Sequence, residues 1–338
     1  MNRSLIVGIC LASSLFAQAP AKWTVEPRFK PTGDQGWDLL AVDTATNRLF
    51  VAHGDKVDVV DLAGGRIAGS VPGFKGAHGV AVTGGKGFAT SGKDSSVVVF
   101  DAATLVVDAR VPTGGAKPDA IAADPATGRV FVGLAGSDAL AVIDPATRKV
   151  VSTISLPGNP ELMAPDGKGR LFVNVENRSE VAVVDTRSLQ VAALWKLAPG
   201  EEPTGLSFDP VRGRVFSACA NRMVVVLDAR DGKVLAHLPV GERVDGAAFD
   251  PGTGTAWIPG GDNSLTAVKE DSTGHFAVVQ KLSTRSGART VALDPRTHRL
   301  YLPSAEFGPR PAPTADQPKP RPPVVPGSFA ILEVAPAD

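Results

Sequence analysis

From about residue 22 onward the apolar positions come in short bursts. Each burst is rich in Val, Ile, Leu and Phe, runs for five to seven positions, and stops at Asp, Gly or Pro. No stretch in this part keeps the i, i+3, i+4, i+7 spacing of an amphipathic helix, whereas runs such as "VDVVD", "LAVID" and "VVVLD" read as strands ending at a turn. The pattern also repeats. "LLAVDTATNRLFVA" from Leu39, "AIAADPATGRVFVG" from Ala120, "GLSFDPVRGRVFSA" from Gly205, "GAAFDPGTGTAWIP" from Gly246 and "TVALDPRTHRLYLP" from Thr290 are copies of one unit. "GVAVTGGKGFAT" from Gly79 and "LMAPDGKGRLFVN" from Leu162 are worn copies.

The aromatic positions of the copies are Phe50, Phe88, Phe131, Phe172, Phe216, Trp257 and Tyr301, spaced 38 to 44 apart. Each copy offers an inner strand, an aromatic strand, an alternating strand that mostly ends in Asp, and an outer strand such as "KVVSTISLPG". Four strands at this period read as one blade of a β-propeller, whose two apolar faces are covered only when blades stack. The expectation is therefore an all-β, seven-bladed β-propeller of four-stranded blades. The last copy lacks an outer strand, and "WTVEPRF" from Trp23 resembles one, so the N-terminal strand is expected to complete the last blade and close the ring.

The first residues read differently. Arg3, an apolar run from Leu5 to Phe16 and Ala17-Gln18-Ala19 have the order of a secretory signal, with cleavage after Ala19 or, since Pro20 disfavours that bond, after Ala21. The run is too short to span a bilayer. The expected organisation is a signal peptide over 1–21 and one propeller domain over 22–338, periplasmic or secreted. Removing the signal leaves Cys219 as the sole cysteine, so no disulfide framework exists, and its place in an aromatic strand suggests a small buried hydrophobe. With 35 basic and 35 acidic residues the charge balance gives no pull toward nucleic acid. Metal-finger, haem, P-loop, dinucleotide and nucleophile-elbow motifs are all absent.

The repeat explains most acidic residues as turn formers. Asp124, Asp209, Asp250 and Asp294, each followed by Pro, open the turn after the inner strand. Arg296, His298 and Arg299 fall in or just past such a turn, and His237 and His275 lie in outer strands. The turns leave one position unexplained. Five residues before each turn anchor stand Asp38, His78, Asp119, Glu161, Thr204, Asp245 and Arg289, all polar. In a propeller this position begins the innermost strand, so the seven residues should ring the mouth of the central channel. Four are carboxylates, and like charges at one mouth repel unless a cation or Arg289 compensates. The loops between the second and third strands should open on the same face. They bring His53, Asp94, Glu176, Asn177, Asn221, Arg222, Asp262 and Glu306, and His53 and His78, from neighbouring repeats, could approach each other. A Pro-rich insertion over about 305–327, reading "EFGPRPAPTADQPKPRPPVVPG" from Glu306, should emerge there too, as a lid, a docking strip or a loop without fixed structure.

Taken together, "GAHGVAV", "KPDAIAAD", "GNPE", "EEPTGLSFD", "RVDGAAFD" and "ARTVALDPRTHRLYLP" resemble the YncE-like group of YVTN β-propellers over nearly all of the chain after the signal. The tetrapeptide that names the group is blurred here to "LFVA", "VFVG" and "LFVN". The resemblance implies a propeller architecture and export; related propellers serve as binding platforms, surface-layer components or electron-transfer modules. Residues and resemblance together point to a small ligand or protein partner at the channel mouth of a monomer. No cofactor is evident, although a divalent cation would suit the carboxylates and His78. The alternatives are a metal-dependent hydrolase or lyase using Glu161, Asp119, His78 and Arg289, and a cell-envelope scaffold.

Overall fold

The computed structural model describes residues 22–314, 317–318 and 320–337; the expected signal peptide lies outside them. Strand β1 (Trp23–Phe29) comes first. It is followed by β2 (Trp37–Asp43), β3 (Arg48–Asp61), β4 (Arg66–Thr83), β5 (Lys86–Ser91), β6 (Ser96–Asp101) and β7 (Val107–Pro112), which form one six-stranded sheet. Four-stranded sheets follow in chain order. One holds β8 (Pro118–Ala123), β9 (Val130–Leu134), β10 (Ala139–Asp144) and β11 (Lys149–Ser155). The next holds β12 (Pro160–Pro165), β13 (Arg170–Val175), β14 (Glu180–Asp185) and β15 (Gln190–Lys196). Then come β16 (Pro203–Asp209), β17 (Arg214–Cys219), β18 (Met223–Asp228) and β19 (Val234–Pro239), and after them β20 (Ala248–Asp250), β21 (Thr255–Gly260), β22 (Asp262–Glu270) and β23 (Phe276–Ser286). The last sheet joins β24 (Ala292–Asp294), β25 (Arg299–Ser304) and β26 (Ala330–Pro336) to β1.

The expected count of seven blades is corrected by this topology. Counted as hydrogen-bonded sheets among the described residues, the propeller has six blades, five of four strands and one of six. The first two sequence repeats share the six-stranded sheet. The step from Phe50 to Asp61 is 11 positions, against 13 from Phe88 to Asp101, so the chain around His53–Lys56 has no room for the short helical turn found at Gly92–Asp94. It turns tightly instead, with Gly54 at positive φ, so that β3 folds back on itself and Leu62 N–H reaches the Asn47 carbonyl at 3.0 Å. Gly54 pairs with Ala77, which draws the outer strand of the first repeat and the inner strand of the second into the single strand β4.

Packing follows the repeat. The seven anchor aromatics lie in β3, β5, β9, β13, β17, β21 and β25 and are at most 2% exposed. Each packs against strands of an adjacent repeat: Phe50 against Val98 and Phe100, Phe131 against Leu171 and Val173, and Phe172 against Val215 and Leu227. Tyr301 packs with Leu40, Leu49 and Val51, joining the last sheet to the first. β1 runs antiparallel to β26, with Val25 opposite Val334, so the two ends of the described chain share one sheet.

A second set of contacts ties neighbours together. The turn aspartates accept backbone N–H groups, as from Ala126 to Asp124 and from Val211 to Asp209. The arginines beside those turns reach the next repeat. Arg48 donates to the carbonyls of Ala102 and Ala103, Arg129 to that of Thr186, Arg212 to that of Glu270, and Arg296 to that of Thr44 across the point where the ring closes. Arg296 also pairs with the buried Asp294. His298, expected to be a turn residue, sits against Asp250 of the preceding repeat at 2.9 Å.

Arg296→Ala should therefore lower the urea midpoint of unfolding clearly, because it removes the bonds to Thr44 and Asn47 and strips the buried Asp294 carboxylate of its cation. Arg66→Ala, whose ion pair is largely exposed, should change stability by less than about 0.5 kcal/mol in the same urea titration. Equal costs would deny the Arg296 clamp.

Candidate functional site at the channel mouth

Seven inner-strand segments follow one another around the axis: β2, the second half of β4, β8, β12, β16, β20 and β24, with β24 returning to β2. The seven ring residues sit at the starts of these segments or just before them, and all seven are partly buried. At five of them the ladder slips: between Trp37 and Leu40, Ala77 and Val80, Pro118 and Ile121, Pro160 and Met163, and Pro203 and Gly205. Such an irregularity leaves a residue outside the regular pairing and re-aims its side chain.

Inner segments of adjacent repeats do not form a sheet with one another; side chains lace them, together with a backbone bond from Asp245 N–H to the Arg289 carbonyl at 3.2 Å. Thr90 donates to the Asp119 carbonyl, Asn174 to that of Gly205, Thr204 to that of Val244, and Thr290 to that of Asp38. Close approach is part of this: a Cβ on Gly79 would stand 2.7 Å from the Asp119 carbonyl oxygen, and one on Gly205 2.4 Å from that of Gly246.

The ring divides unevenly. On one side His78 Nδ1 lies 2.8 Å from Asp38 Oδ2. Potential ligand atoms of Asp38, His78 and Asp119 all fall within 4.8 Å of one another. On the other side Arg289 Nε lies 3.2 Å from Asp245 Oδ2. Thr204 is spent on the Val244 carbonyl. Among the described residues no side chain donates a hydrogen bond to the carboxylates of Asp119 or Glu161.

The electrostatic consequence is large. Burial, reinforced by Asp119, Glu176, Asp245 and Asp38, pushes the Glu161 carboxyl up to about 9. Burial and the Asp38 charge raise Asp119 to about 6, although His78 and Arg289 oppose this. Burial raises Asp245 to about 6 against the pull of Arg289. The hydrogen bond to Asp38 raises His78 above its ordinary value despite partial burial. Arg289 and His78, with Lys93 acting on His78 and Lys117 on Asp119, are still fewer than the five carboxylates of Asp38, Asp119, Glu161, Glu176 and Asp245, so an added cation would stabilise the mouth.

The loop residues are placed less uniformly. Glu176 joins this field, since its charge acts on Glu161 and Asp245, and its Oε2 accepts from Asn159 Nδ2 at 2.8 Å. His53 does not meet His78. It is fully buried, pairs with Asp58 Oδ2 at 2.7 Å and packs at a tilt on Phe329, ring centres 4.2 Å apart. Asn221 holds local backbone, accepting from Glu201 N–H and donating to the Pro199 carbonyl. Glu306 is exposed and anchors the Pro-rich insertion through its carbonyl, which accepts from Val325 N–H. The base of that insertion is ordered: Phe307 bridges to Val324 and packs on Trp37 with ring centres 6.0 Å apart. Cys219 is buried, and burial pushes its thiol up to about 12. Asp58 and the glycines around His78 were not singled out from the sequence. "GAHGVAV", with glycines on both sides of the histidine, carried the only signal for the latter.

No family model matches the chain. It is 28% identical over 173 residues to a protein of Escherichia coli O157:H7 described as uncharacterized protein YncE, a match covering 47% of this chain and 49% of that protein. The chain thus spans about half the length of the curated relative it matches. Among solved structures, U3-55K superposes with a TM-score of 0.76 at 9% identity, covering 93% of this chain and 98% of that one. Hydrazine synthase of Kuenenia stuttgartiensis gives a TM-score of 0.71 at 20% identity, covering 80% and 94%. Both identities are low enough that they show the propeller fold alone.

The raised carboxyls bind more protons in the folded state than in the unfolded one, so these groups lower stability as pH rises from about 4 toward 9. His78 works in the same direction: its contribution is full below about 6.5 and is lost as pH rises through its raised value. Glu161→Gln should raise the melting temperature at pH 8, by the equivalent of at least about 1 kcal/mol, and by clearly less at pH 5. A gain independent of pH would show that burial and the neighbouring carboxylates do not hold the Glu161 carboxyl up.

Proposed function

The chain is a YncE-like β-propeller, and we propose that it is an exported binding protein whose channel mouth takes a cationic ligand or a positively charged group of a partner. One observation carries this reading. Asp38, Asp119, Glu161, Glu176 and Asp245 act on one another electrostatically at the mouth, and the partners there are too few to neutralise them. The partial burial of all seven ring side chains fits a recess that water and a ligand can reach. Binding without covalent chemistry is supported by the buried, high-pKa thiol of Cys219, which is poorly suited to act as a nucleophile.

Export to the periplasm or outside the cell is part of the proposal and rests on the signal-like residues 1–21. Among the described residues no helix is long and apolar enough to cross a membrane. A metal-dependent hydrolase or lyase at the same mouth is the second reading, favoured by the Asp38–His78–Asp119 cluster.

Titration calorimetry with spermidine, arginine methyl ester and divalent metal ions tests the reading. At least one should bind once per chain, about tenfold or more weaker to Asp119→Asn/Glu161→Gln, with its affinity raised in Arg289→Ala because a competing cation is gone. Absence of binding by every cation, or binding unchanged in the double variant, would overturn it.

A further inference from the structure

We infer that Asp38, His78 and Asp119 form a site for a first-row divalent transition-metal ion on one side of the channel mouth. The inference rests on the cation-binding reading and narrows it to a place and a chemical class.

Three neighbouring inner segments, β2, β4 and β8, contribute one ligand each. Two atoms bound to one ion at about 2.1 Å stand on the order of 3–4 Å apart, and the 4.8 Å envelope of the three groups matches this after a small contraction. An imidazole with two carboxylates suits Mn²⁺, Fe²⁺ or Zn²⁺, whereas Mg²⁺ and Ca²⁺ favour oxygen ligands throughout.

The histidine is held for this role by its surroundings rather than by its pairing alone. Its Nε2 edge is walled by glycines: a Cβ on Gly92 would stand 2.7 Å from both Nε2 and Cδ2, and one on Gly76 3.6 Å from Nε2. No larger residue fits at Gly92 with the ring in place, and the opposite edge, with Nδ1, faces the Asp38 carboxylate at 2.8 Å. The Asp119 carboxylate has no donor of its own, although the backbone on which it stands is pinned by Thr90 at 2.7 Å. An unpartnered carboxylate, a fixed imidazole and a second carboxylate thus converge from three strands. With three protein ligands, the remaining positions on the ion would face the channel. A donor atom of an incoming molecule could complete the coordination there.

The experiment uses chain freed of metal by chelator and dialysis, with Mn²⁺ as the probe followed by electron paramagnetic resonance and Zn²⁺ by calorimetry. One ion per chain should bind. His78→Gln and Asp119→Asn should each weaken binding at least about tenfold. Gly92→Ala, which leaves every ligand in the sequence but displaces the imidazole, should weaken it too, with a cooperative melt retained. Arg66→Ala, remote and exposed, serves as the unaffected control. If neither ion binds while spermidine does, this inference is overturned and the cation-binding reading stands. If no cation binds at all, both fall. Binding that survives unchanged in His78→Gln and Gly92→Ala would place the ion elsewhere and overturn the site.

Discussion

Every sheet of this molecule has two apolar faces, and nothing but the next sheet can cover them. Phe88, Phe131, Phe172, Phe216, Trp257 and Tyr301 are buried at such junctions, and Phe50 is buried between the two repeats that share the six-stranded sheet, against Val98 and Phe100. A repeat cannot therefore be stable alone, and a row of these repeats leaves an apolar face uncovered at each end unless the two ends meet. The antiparallel pairing of β1 with β26 and the packing of Tyr301 on Leu49 and Val51 provide that meeting. The circumferential arginines, with Arg296 reaching Thr44 at the closure, tie the turns of one face in the same sense.

Closure also creates the site. Inner strands that start near the axis must bring their first side chains together, and the pairing slips at Trp37–Leu40, Pro118–Ile121 and Pro160–Met163 free those residues from the ladder. A ring of identical small residues would satisfy the geometry. Here the ring gathers four carboxylates instead, a destabilising arrangement that the stacked sheets hold in place. Glu161 carries the largest burden because it has neither the imidazole beside Asp38 and Asp119 nor the guanidinium beside Asp245. Strain of this kind, held by a rigid frame and open on one side, is what a binding site for a cation requires.

The ring was legible because a repeat turns one structural position into seven readings. Counting five back from Asp43, Asp124 or Asp294 requires only the period, and a polar residue at each count marks the mouth. The pairings were not legible. His78 meets Asp38, 40 residues away in sequence, and not His53, which is drawn inward by Asp58 and Phe329. Arg289 meets Asp245 across a repeat boundary. Those choices depend on how far each inner segment is offset from its neighbour, a quantity the pattern of apolar residues does not encode.

The sequence by itself determined the all-β class, the sites of the aromatic anchors, the turn aspartates and the identity of the ring residues, because all of these are local patterns repeated at a fixed spacing. Only the tertiary structure decided that the first two repeats join in one sheet, since that depends on a hairpin shortened around His53–Lys56 and on Gly54 finding Ala77 across it. It alone decided that the ring is electrically uneven, with an imidazole and two carboxylates on one side and an ion pair on the other. Charges separated by a repeat length come within reach of one another only when the ring has closed, and their energies follow from distance and burial rather than from order along the chain.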